Sequence, residues 1–172
     1  MSSRLVIIAA VLSVSACASL SPSGPQASAS LEPRSGSSTT GTVGFEQRGG
    51  KVVVTAEVRG LRPNAEHGFH VHERGDCSAA DAMSAGGHFN PKGQAHGNHA
   101  AGTHHAGDMP NLKADAAGVA RLVWEDDELV VGDGPTSVVG KSVVVHRDPD
   151  DFKSQPAGNS GPRIACGVIT RK

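Results

Sequence analysis

Nine histidines are spread along this chain, and their spacing suits metal ligation. His70 and His72, in HGFHVHERGDC, are two residues apart, which puts both rings on one face of a β-strand. His67 has the opposite parity and points to the other face. His88, His96, His99, His104 and His105 follow in a Gly-rich stretch. Asp108 comes three residues after His105 in HHAGDMPN, and His146 closes the run SVVVH. Imidazole is a ligand for zinc and copper, and an added carboxylate favours zinc over soft copper(I). A lone histidine or a lone H-x-H says little, and a solvated polar loop can have the same composition. The stretch itself argues for metal. Residues 75–111 show no sustained periodicity, and a segment that long needs something to order it. Ligation supplies that order.

The rest of the chain reads as strands and turns that position those side chains. TGTVGFEQ and KVVVTAEVR alternate about RGG, as a hairpin does. ASLEPRSGS is a weak first strand and turn. NLKAD, GVARLVWE, ELVV, KSVVVHR and RIACGVIT are further strands, and RDPDDFKSQPAGNSGP is a second irregular segment. No helical 3.6-residue pattern is sustained. The expectation is an all-β fold, an eight-stranded antiparallel Greek-key barrel or sandwich with two long functional loops. High Gly (22) and low aromatic content (3%) agree with short strands and tight turns. Lys and Arg total 16 against 17 Asp and Glu, a net charge of -1. That balance gives no broad basic field for a nucleic-acid partner.

The first residues read as an export signal. Arg4 precedes an apolar run, residues 5–14, that is too short for a comfortable membrane span. Its end, VSAC, resembles a bacterial lipobox, with Cys17 lipidated as the first mature residue; an ordinary signal peptide cut near SACA is the alternative. Ala18 then resembles a signal for outer-membrane sorting. The expected division is a signal peptide over 1–16, a lipidated cysteine and flexible Ser/Pro tether over 17–26, and the β-domain over 27–172. Export leaves Cys77 and Cys166 as a pair able to form a disulfide; two free buried thiols are the alternative.

GFHVHERGDC, SAGGHFNPKGQAHG, HAGDMPNL, VVVHRDPDD and GNSGPRIACGVI stand in an order and spacing that resembles the copper/zinc superoxide dismutases, over roughly residues 27–172. The signal and the SAGGHFNP segment resemble the bacterial exported branch. The resemblance implies copper held by His70, His72, His88 and His146, and zinc held by His88, His96, His105 and Asp108. His88 is then an imidazolate shared by both ions. Arg163 matches the arginine that receives the anionic substrate, Cys77 and Cys166 match the family's disulfide, and Asp150 matches a carboxylate joining a copper ligand to a zinc ligand. His105 is preferred over His104 because it alone keeps the three-residue step to Asp108. His67 matches a structural histidine that bonds backbone carbonyls. His99 and His104 have no ligand counterpart and are expected in solvent.

The implied activity is dismutation of superoxide to dioxygen and hydrogen peroxide, with His88 and Arg163 as the catalytic residues. Envelope protection, a membrane contact through the lipid on Cys17 and a periplasmic location at the outer membrane go with it; a homodimer is left open. The second loop departs from animal members, having Arg147 and Lys153 but no acidic pair near Arg163. The competing reading is a non-catalytic periplasmic copper/zinc-binding lipoprotein. Trp124, in RLVWEDDE, is expected in the core or at an interface.

Overall fold

The computed structural model describes residues 24–172. The signal peptide, Cys17 and most of the tether lie outside the described residues. The elements are β1 (Gln26–Pro33), β2 (Thr40–Arg48), β3 (Lys51–Arg59), β4 (Glu66–His67), β5 (Phe69–His72), β6 (Leu112–Lys113), β7 (Ala120–Asp126), β8 (Ser142–His146), β9 (Arg163–Val168) and β10 (Thr170–Arg171). The helical content among them is one 3-10 turn, Met83–Ala85. Among the described residues no helix is long and apolar enough to cross a membrane.

Eight of the strands form one curled antiparallel sheet in the order β5-β8-β9-β1-β2-β3-β7, with β10 added beside β1, while β4 and β6 pair separately. The neighbours β5-β8, β9-β1 and β3-β7 are distant in sequence, so long connections cross between them, as the Greek-key expectation requires. The β2–β3 hairpin runs from Thr40↔Arg59 to Arg48↔Lys51. Its two-residue turn is Gly49-Gly50, and Gly49 takes φ 58°, a conformation that costs glycine nothing.

Alternation decides which side chains enter the core. Along β3, Val52, Val54, Ala56 and Val58 are buried and join Phe45, Phe69, Val71, Met109, Leu112, Val143 and Val145 in the main core. β8 is buried on both faces. Val143 and Val145 point into the core, whereas Val144 packs outward with Cys77, Ala82, Ala85 and Cys166. The outer face of β5-β8-β9 is therefore roofed by the long segment 73–111 and by the second one, 147–162. Residues 24–26, expected within the tether, belong to the fold: Gly24 N–H donates to the Gln47 carbonyl at 3.1 Å and Gln26 opens β1. ELVV forms no strand. Asp126 Oδ1 accepts the Glu128 and Leu129 N–H groups, turning the chain where the strand would have begun. Only an isolated bridge, Val130↔Ser137, remains.

Candidate metal centre

The parity of FHVH sends Phe69 and Val71 into the core and His70 and His72 to the outer face, where the loops bury both rings completely. On β8 the same parity puts His146 on that face, and a register shift after Val145 sets His146 opposite Arg163 of β9. The first long segment is pinned along the free edge of β5. Val71 N–H donates to Gly107, Phe89 N–H to Val71 and Gly107 N–H to Phe89, at 2.8–2.9 Å. That pairing places His88 against His72 and Asp108 against His70.

Two buried groups result. His70, His72, His88 and His146 form one, and His88, His96, His105 and Asp108 the other; within each, one candidate ligand atom per residue lies within 4.8 Å of every other. His88 belongs to both. Its ring stacks on His70 at 4.0 Å between centroids and stands edge-on to His96 and His105 at 5.3 and 5.4 Å.

The hydrogen bonds fix which nitrogen of each ring faces inward. His72 Nδ1–H donates to the Gly86 carbonyl at 3.0 Å and His146 Nδ1–H to the Gly161 carbonyl at 3.1 Å, turning each Nε2 inward. His70 Nε2–H and His96 Nε2–H donate to the two oxygens of Asp150, at 2.8 and 2.9 Å, leaving each Nδ1 inward. Such outer partners set tautomer and ring orientation for a metal.

The residues fit copper and zinc. The inward nitrogens His70 Nδ1, His88 Nε2, His96 Nδ1 and His105 Nδ1 are buried without a hydrogen-bond partner, a costly state for polar atoms unless something else binds them. Asp108 oxygens lie 2.8, 3.0 and 3.4 Å from Nδ1 of His88, His96 and His105. The last two contacts lack hydrogen-bond geometry. Four ligands at zinc-ligand distances of about 2.0–2.1 Å in a tetrahedron stand about 3.3 Å apart. In the other group, Nε2 of His72 and of His146 are 3.4 Å apart, and four imidazoles suit copper. Asp108 is further anchored by the Gly97 and His105 N–H groups, at 3.1 and 2.9 Å.

Burial and the neighbouring imidazoles push His70 and His72 well below the ordinary histidine range. Burial chiefly brings His146 down to about 4, and His88 is lowered for the same reason. His96 goes the other way: burial opposes its charge, but the hydrogen bonds and charges of Asp108 and Asp150 outweigh it and raise it to about 9. The hydrogen bonds of the three histidines likewise overcome burial and lower Asp108.

These shifts predict how the metal-free protein responds to acid. Histidines that stay neutral when folded bind fewer protons than the unfolded chain, whose histidines titrate near ~6.5. Their contribution is complete above that value and is lost as pH falls toward about 4, the His146 value. His96 contributes in the opposite sense, losing its share as pH rises through about 9. With His99 also lowered by burial, five histidines are lowered against one raised, and the urea midpoint of metal-free protein should fall steeply between about pH 6.5 and 4. A flat profile across that range would contradict the burial described.

The other expected residues fall as follows. Cys77 and Cys166 form a disulfide. Arg163 is half-buried, and its guanidinium donates to the Ala82 and Gly86 carbonyls at 2.8 and 2.7 Å. Gly86 thus links Arg163 to His72. His67 is buried on the opposite side, with Nδ1–H donating to the His146 carbonyl at 2.9 Å. His105, not its neighbour His104, enters the group. His104 is partly exposed and donates to the Gly102 carbonyl. His99 is half-buried rather than free in solvent: its ring stands edge-on to Trp124 at 4.7 Å, because the segment folds back onto β7. Trp124 is partly buried against the core. Arg147 pairs with Asp148 at 2.9 Å on the surface, so it offers little free charge near Arg163.

A family model, copper/zinc superoxide dismutase (SODC), matches residues 39–169. The chain belongs to the copper/zinc superoxide dismutase family. A superoxide dismutase [Cu-Zn] of Yarrowia lipolytica is 46% identical over 144 residues, covering 79% of this chain and 92% of the relative. That of Saccharomyces cerevisiae is 46% identical over 138 residues, 76% and 88% of the two chains. Superoxide dismutase [Cu-Zn] 2 of Aquifex aeolicus is 45% identical over 122 residues, 69% and 71%. The solved structure of the clock protein EA4 matches with a TM-score of 0.77 and 38% identity, covering 84% of this chain and 93% of that one. Copper/zinc superoxide dismutases are enzymes that use both metals, and the two histidine groups described here are able to hold them.

Four further residues shape the site without a signal in the sequence: Gly86, Gly161, Asn111 and Gln155. The first two act through backbone carbonyls, which any residue carries, and no side-chain signal marks them.

Proposed function

We propose that the chain dismutates superoxide in the cell envelope, with His70, His72, His88 and His146 holding copper, and His88, His96, His105 and Asp108 holding zinc. The observation that carries this is His88, which belongs to both groups, with Nδ1 on Asp108 and Nε2 buried without a partner. A copper ion held there would supply a one-electron couple, through which one superoxide leaves as dioxygen and a second, with that electron and two protons, leaves as hydrogen peroxide; a zinc ion in the other group would keep a fixed oxidation state. His88 Nε2, on the copper side, is the atom placed to hold and release a proton, while Nδ1 stays directed at the zinc side by Asp108. Asp150 keeps His70 and His96 in register.

Arg163 draws in the anion. A guanidinium keeps its charge under all working conditions and presents several donors, and two carbonyls hold this one on the strand facing His146. Arg163→Ala should keep both metals and lose about ten-fold or more in rate at low ionic strength, with a weaker salt dependence. A variant as fast as the parent at low salt would remove Arg163 from this role. A pure metal store has no use for such an anion receptor.

Export and lipidation rest on the Arg4-apolar-VSAC pattern and on the Cys77–Cys166 disulfide, which suits an oxidising compartment. Cys17→Ser should move the protein from the membrane fraction to the soluble one; an unchanged distribution would count against the anchor. The activity itself is tested by assaying superoxide loss with copper- and zinc-loaded protein against chelated protein. Loaded protein should be active and chelated protein inactive.

A further inference from the structure

We propose that Gln155 and Asn111 are positioning residues that clamp the Asp150 link between the two ligand groups, and that Gln155 controls how firmly zinc is retained. The inference rests on reading His96 as a zinc ligand and His70 as a copper ligand. Gln155, in the segment 147–162, reaches the backbone of His96 in the other long segment. Its Oε1 accepts the His96 N–H and its Nε2 donates to the His96 carbonyl, both at 2.9 Å. Asn111, at the end of the first segment, repeats the arrangement in the reverse direction. Its Oδ1 accepts the Asp150 N–H and its Nδ2 donates to the Asp150 carbonyl, again both at 2.9 Å. Each segment thus lends a carboxamide that pairs with both backbone groups of one residue in the other, as a neighbouring strand would.

The two residues held this way are His96 and Asp150, the partners of the Nε2–H···Oδ1 bond at 2.9 Å. With both backbones fixed, the side-chain bond between them has little freedom. Gly158 closes the space above it. Its φ is +62°, and a Cβ there would collide with Asp150 Oδ1 and His96 Nε2. Because the second oxygen of Asp150 holds His70, slack at His96 passes to the copper side.

Gln155 is exposed, so its replacement removes the clamp without opening the core. Asn90 supplies a matched comparison: its Oδ1 accepts the Gln94 N–H at 2.9 Å and its Nδ2 donates to the Gln94 carbonyl at 2.8 Å. This is the same bond pair, made within the segment that carries His96, but it touches no candidate ligand.

The experiment loads the parent, Gln155→Ala and Asn90→Ala with copper and zinc. Zinc release to a chelating indicator is then timed, and the visible absorption of copper is recorded. Replacing partners that orient ligands commonly costs about 10–100-fold in metal affinity, so Gln155→Ala should release zinc about ten-fold faster or more and show a shifted copper band. Asn90→Ala should match the parent in both. Gln155→Glu, which keeps the acceptor for His96 N–H and loses the donor, should fall between, and it carries the same test if the alanine variant folds poorly. Release from the Gln155 variants at the parental rate, or equal acceleration in Asn90→Ala, would overturn the inference while leaving the ligand reading intact. A parent protein that takes up no zinc would overturn both.

Discussion

His88→Ala should reduce superoxide dismutation by more than about a hundred-fold and weaken the binding of both metals together. The ring sits in both ligand groups, so its removal leaves three candidate donors for each ion. Even partners one bond removed from a ligand cost about 10–100-fold in affinity or activity, and a ligand shared by two ions must cost more. The pattern separates a shared ligand from an ordinary one. If His88 served one group alone, one metal would be weakened and the other retained at parental affinity. His99→Ala provides the contrast: its ring lies against Trp124, outside both groups, and activity should change little. Metal analysis of each variant after dialysis, with initial rates of superoxide loss, checks both statements. Full retention of either metal by His88→Ala would contradict the shared site.

Removing the disulfide should produce the largest loss of stability. The Cys77–Cys166 bridge closes a sequence separation of 89 residues, for which chain entropy predicts about 4–5 kcal/mol. Domains are commonly stable by only about 5–15 kcal/mol, so Cys77→Ser with Cys166→Ser should melt about 8–20 °C lower, at about 2–4 °C per kcal/mol for a chain of this size. The bridge also organises the site. It ties the segment that carries the Ala82 and Gly86 carbonyls to β9, which carries Arg163, and Arg34 Nε–H donates to the Cys77 carbonyl at 2.8 Å. Below the melting range, the metal-loaded double variant should therefore lose rate in the same sense as Arg163→Ala, because the guanidinium loses its fixed anchors. A melting temperature within a degree or two of the parent would show that the surrounding packing holds the segment without the bond.

Much of this site can be read from residue order because it depends on side-chain type and parity. FHVH dictates two inward apolar and two outward imidazole side chains, and the three-residue step from His105 to Asp108 distinguishes His105 from His104. The Gly-rich segment 75–111 is irregular in sequence and in structure because edge pairing with β5 and the hydrogen bonds converging on Asp108 hold it, so it needs no periodic pattern. What remained hidden depends on tertiary closure. The Gly86 and Gly161 carbonyls acquire roles only when the loops fold over the outer face, and the Asn111 and Gln155 carboxamides acquire theirs only when two segments distant in sequence cross. ELVV has the composition of a strand, but Asp126 captures the N–H groups of Glu128 and Leu129 and turns the chain. Burial of the Leu129 side chain gives that stretch its apolar character without any sheet. The extension of β1 back to Gln26 is concealed by residues typical of a tether, which pair with β2 and β10 through backbone groups and bury only the small Ala27 side chain.

The shared role of His88 is tested most directly by anomalous diffraction at the copper and zinc edges from crystals of the doubly loaded protein. The account predicts a copper peak bonded to His88 Nε2 and a zinc peak bonded to His88 Nδ1, each at about 2.0–2.1 Å. A single peak, or two peaks of which one lies beyond bonding range of the ring, would contradict it.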